Sequence, residues 1–185
     1  MRQTLLFVMA FMLVACSAAA ADYKAVSTGV RYTHLGDYSV ERLNRILTTE
    51  VAAFSSFKVQ YPQAANAVSL YKVQYATVIP ELGNKPTLAS GLVAVPQTAQ
   101  KKLPVVSYQH GTVFTRTAVP SRPEESDETR IITAQMAGNG YVVIAADYIG
   151  KGDSDEPDSY MVREATIQAC MDMLFAARGA GRYGY

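Results

Sequence analysis

An α/β fold is predicted from the order in which apolar residues recur along this chain. Residues 103–108 and 141–146 are short apolar runs rich in Val and Ile, without alternation, as in strands covered on both faces of a parallel sheet. Residues 126–137 between them have helical spacing, which makes a β-α-β unit with a right-handed crossover. Upstream, residues 68–79 and 88–95 flank a proline- and glycine-bearing turn and form an antiparallel hairpin.

The elements follow in order. Residues 23–38 show no clear period and read as a surface lead-in, with His34 a solvated side chain. Ser39 can cap a helix whose apolar residues Val40, Leu43, Ile46, Leu47, Val51 and Phe54 keep helical spacing. In the first hairpin strand Tyr71, Val73 and Tyr75 face one side and Lys72 and Gln74 the other, the pattern of a half-exposed strand. Gly83 and Asn84, between Pro80 and Pro86, mark the turn, and Pro96 closes the second strand. Lys101 and Lys102 lie in a polar loop. The helix at 126–137 turns Ile131, Ile132 and Met136 inward, and Gly138, Asn139 and Gly140 stop it. A last helix, about 160–178, follows Pro157.

Composition narrows the class. The 185 residues are 49% hydrophobic with a net charge of +1, which suits one globular domain, and no basic patch suits nucleic acid. Residues 1–21 read as a signal peptide, since Arg2 precedes an apolar run too short to span a bilayer. Two cleavage readings stand. Residues 13–16, Leu-Val-Ala-Cys, resemble a lipobox with Cys16 as the lipidation candidate, and Ala19-Ala20-Ala21 suits ordinary cleavage before Asp22. Either way the chain is exported, as a periplasmic, outer-membrane lipoprotein or secreted protein. Residues 22–185 form the remaining domain. Cys170 then has no partner for an intrachain disulfide and reads as a buried, inert thiol beside Ile167, Met171 and Leu174.

Two motifs carry chemistry. Gln109-His110-Gly111-Thr112 lies at the carboxyl end of the first buried strand, where open α/β sheets place their sites. Glycine lets the backbone turn sharply and leaves N–H groups free for a developing negative charge. Asp147-Tyr148-Ile149-Gly150-Lys151-Gly152-Asp153-Ser154 follows the next strand, and Asp147 is expected to bond the turn's backbone. Its glycine spacing fits neither a dinucleotide fingerprint nor a phosphate loop.

Together these motifs resemble α/β-hydrolases, most closely exported lipases and esterases that pair a YQHG-like loop with an AADY-x-G-x-G-D-S turn. Lys151 stands where such turns usually carry an apolar residue. The resemblance covers about residues 71–178. It implies an oxyanion loop at His110, Gly111 and Thr112, with Thr112 N–H as donor, an ester or lipid substrate, and no metal or organic cofactor.

No G-x-S-x-G occurs in the chain. The expectation is therefore a partial α/β-hydrolase fold: an N-terminal hairpin and the start of the parallel sheet with flanking helices, truncated before the nucleophile elbow. It would hold no Ser-Asp-His triad and be inactive alone. Neither Ser107 nor Ser154 offers His110 the geometry of a nucleophile. The alternative is a non-catalytic lipoprotein or scaffold module that keeps half the fold. Membrane contact would come only through Cys16. An uncovered edge at 103–108 would favour self-association.

Overall fold

The computed structural model describes residues 22–50 and 60–180. The expected signal peptide and lipobox with Cys16, and the expected helix positions Val51 and Phe54, lie outside the described residues. So do residues 181–185.

Strands β1 (Lys24–Ser27), β2 (Val30–Tyr38), β3 (Val68–Ile79), β4 (Lys85–Pro96), β5 (Val105–Tyr108) and β6 (Val142–Ala146) form one sheet in the order β1-β2-β3-β4-β6-β5. Helices α1 (Val40–Arg45), α2 (Asp127–Met136) and α3 (Arg163–Ala180) cover it. β5 and β6 pair in parallel and all other neighbours antiparallel. The order within β3, β4, β6 and β5 is the 1-2-4-3, counted from the hairpin, that the α/β-hydrolase resemblance implies.

Alternation along the strands divides the core in two. Val73, Tyr75, Ala89 and Val93 pack on one face against Ala165, Ala169, Met173, Ala176 and Ala177 of α3. Val68, Leu70, Leu92 and Ala94 pack on the other against Leu43, Ile46, Ala134 and Ala137. The small inner face of α3 lets the helix approach closely. A Cβ on Gly91 would meet the Ala145 carbonyl oxygen at 2.4 Å and Met173 Sδ at 2.8 Å.

The structure corrects several expectations. The partial fold, a hairpin with the start of a parallel sheet, is replaced by a six-stranded sheet with a helical layer and a buried core on each face. The lead-in at 23–38 is two strands. Its alternation is broken by a register shift between His34 and Gly36, which hides the period. β3 is not half-exposed, because Gln74 and Lys72 turn into a covered polar network. β5 is covered on neither face as fully as β6, and Val105 is 57% exposed. In α2 the fully buried residues are Thr129, Thr133 and Ala134, with Ile131 and Met136 packed at the margin. Cys170 is only partly buried, and burial pushes its thiol up.

Candidate active site

The site forms where β5 and β6 end. β5 delivers the loop from Gln109 to Phe114, and β6 delivers the turn from Asp147 to Ser154. His110 is 7% exposed, and its ring stacks on Tyr148 with centroids 4.1 Å apart. Tyr148 holds φ at 71°, a strained value for a bulky residue, and its hydroxyl donates to the His110 carbonyl at 3.1 Å. The two motifs are thereby locked to one another through both backbone and ring.

Asp147 is the buried centre of the turn. Its Oδ2 accepts from Ser90 Oγ at 2.5 Å, and its Oδ1 accepts from the Ser121 amide at 2.8 Å. Burial pushes its carboxyl up, and the hydrogen bonds from Ser121 and Ser90 and the nearby His110 only partly offset that. The Asp147 carbonyl lies 3.2 Å from His110 Nε2, and His110 Nδ1 lies 2.8 Å from the Gly111 carbonyl.

Gly152 explains the spacing of the turn. With φ at 56°, a Cβ there would sit 2.1 Å from Asp147 Oδ2 and 2.4 Å from Ser90 Oγ. Only glycine lets the chain cross directly over this pair. Beyond it, Asp153 donates its amide to Ser90 Oγ at 2.9 Å. The Asp153 carboxylate takes Lys72 Nζ at 2.6 Å and Gln74 Nε2. Burial pushes that carboxyl up, but Lys72 and Gln74 outweigh it and the net shift is downward.

Ser90, His110 and Asp147 are thus brought together, which corrects the expectation that this chain holds no serine, histidine and aspartate set. The inactive fragment and the non-catalytic module both rested on that absence. Ser90 carries no local motif, because it sits in the middle of β4, 57 residues from Asp147. The contacts run serine to aspartate to histidine: the hydroxyl bonds the carboxylate, and both imidazole nitrogens face carbonyl oxygens. Ser90 is fully buried. Ser154 is also fully buried, and Ser107 is exposed on β5, bonded by Gln109 Nε2 at 2.8 Å; neither contacts His110.

A cavity of about 310 Å³ opens beside the cluster, lined among others by His110, Thr112, Tyr148, Lys151 and Met161. Gly111 N–H is taken by the Glu128 carboxylate at 3.0 Å, and Tyr108 OH donates to the same group. Burial, then Glu128, pushes the Tyr108 phenol up. Among the described residues no three His, Cys, Asp or Glu side chains are grouped to hold a metal ion.

No family model matches this chain, and no curated protein does. Among solved structures it is similar to a provisionally assigned hydrolase from Legionella pneumophila subsp. pneumophila, at 34% identity and a TM-score of 0.65, covering 82% of this chain and 38% of that one. It is also similar to the rice cell wall degrading esterase LipA from Xanthomonas oryzae, at 25% identity and a TM-score of 0.65, covering 82% and 37%. The chain spans 38% of the length of the first and 37% of the second. The α/β-hydrolase fold of these solved structures runs through 82% of this chain.

Proposed function

We propose that the protein is a carboxylic-ester hydrolase of the serine type, acting on an ester or lipid substrate at the cavity beside His110. The observation that carries this reading is the convergence of Ser90, Asp147 and His110 beneath a loop able to receive an oxyanion. With Gly111 N–H engaged by Glu128, the Thr112 amide is the donor for the tetrahedral intermediate. Asp147 holds Ser90 and the turn, and His110 walls the cavity.

The test is hydrolysis of a short p-nitrophenyl ester by the protein and by His110→Ala and Ser90→Ala variants. Turnover that falls in both variants supports the reading, and a folded protein without turnover contradicts it.

Export belongs to the same reading, supported by the leader sequence, with Cys16 lipidated or removed. Self-association along β5 is supported by its position: among the described residues its one strand partner is β6, and Val105 is exposed.

A further inference from the structure

Lys151 is the residue by which this chain departs from the turn it resembles, and the structure shows where its charge goes. The side chain is 7% exposed and runs beneath the cavity rim. Its Nζ donates to the Val113 carbonyl at 3.0 Å and pairs with Asp158 Oδ2 at 2.8 Å. A buried ammonium is tolerated only while such partners are kept, so the side chain has little freedom to leave.

Both ends of this connection are placed. Asp158 is pressed against the turn: a Cβ on Gly150 (φ 84°) would lie 2.4 Å from Asp158 Cα. Ser159 reinforces the contact through its amide and hydroxyl, both donated to the Ile149 carbonyl, at 3.2 and 3.0 Å. The other end is a loop with little cover of its own, since Gly111 and Thr112 are exposed and Phe114 is 95% exposed. Glu128 holds that loop at the Gly111 amide, and Lys151 holds it one residue after Thr112.

We propose that Lys151, anchored by Asp158, is a positioning residue: a cationic tether that fixes the Val113 carbonyl, on the carboxyl side of Thr112, and so keeps the Thr112 N–H facing the cavity. Its catalytic consequence rests on the ester-hydrolase reading. An apolar residue at 151 could fill the same space but could not hold the Val113 carbonyl. Between Gly111 and Phe114 the loop would then be held only on the amino side of Thr112.

The experiment combines amide hydrogen exchange of residues 111–116 with steady-state kinetics on a short p-nitrophenyl ester. The variants are Lys151→Met, Lys151→Arg and Asp158→Asn. Exchange in 111–116 is expected to quicken about tenfold in Lys151→Met, with β3 and β4 unchanged. The kcat is expected to fall about tenfold with KM little altered, as for a misplaced donor. Lys151→Arg restores much of both, and Asp158→Asn shifts both in the Lys151→Met direction by less. Unchanged exchange in Lys151→Met overturns the tether, as does a loss confined to KM. If Lys151→Met does not fold, unchanged exchange in Asp158→Asn overturns it instead. Should the wild-type protein hydrolyse no ester, the functional reading fails, while the exchange comparison still decides the tether.

Discussion

Ser90 Oγ donates to Asp147 Oδ2 across 2.5 Å, joining the middle of β4 to the turn that leaves β6. Both residues are fully buried, so water cannot replace either partner. Ser90→Ala leaves the carboxylate short of a donor in a dry site, a loss of about 2 kcal/mol. Denaturant unfolding of the variant measures this, and a change below a few tenths would show that the pair is not coupled.

Gly152 is the position most intolerant of a side chain. A methyl group there collides with the Asp147 carboxylate and the Ser90 hydroxyl, and the positive φ adds strain. Gly152→Ala is expected to cost about 3 kcal/mol and to lower the unfolding midpoint by more than Ser90→Ala does.

Asp153 and Asp147 should give opposite pH signatures. For Asp153 the folded carboxyl sits below its ordinary value of 3.8, so its contribution is present above that value and is lost as pH falls through the lowered one. For Asp147 the folded carboxyl sits above 3.8. Stability is then greatest below that value and declines as pH rises toward the raised one. Unfolding from pH 3 to 7 should show the deficit of Asp153→Asn widening with pH and that of Asp147→Asn narrowing.

Thr112→Pro removes the proposed oxyanion donor at an exposed position, and a retained unfolding midpoint shows that the fold tolerates the ring. The kcat on a p-nitrophenyl ester is expected to fall about 100-fold. Thr112→Ser, which keeps the amide, is expected to stay near wild type.

At the sheet edge, Val105→Lys places a charge on an exposed strand and should shift the protein toward monomer in light scattering. Unchanged association would remove β5 as the contact.

The hairpin and the β-α-β unit were legible because each rests on local apolar periodicity and turn residues, whereas the relative order of four strands came only with the family resemblance. β1 and β2 were not, since the bulge near His34 and Gly36 shifts the period partway along β2. The turn after β6 announced itself through glycines that the backbone needs at Gly150 and Gly152. Ser90 did not, because a serine inside an apolar strand acquires meaning only from Asp147, which no local pattern brings beside it. Lys151 was legible only as a departure. Its reason lies in Val113 and Asp158, contacts formed by loops that no periodicity orders.

The most direct test of the account is to treat the protein with a fluorophosphonate, follow p-nitrophenyl ester hydrolysis, and map the modified residue by peptide mass. Labelling of the protein with parallel loss of turnover, both abolished by His110→Ala, is the predicted result. Absence of label and turnover in the folded protein, or turnover that His110→Ala leaves unchanged, would contradict the assignment of this cluster.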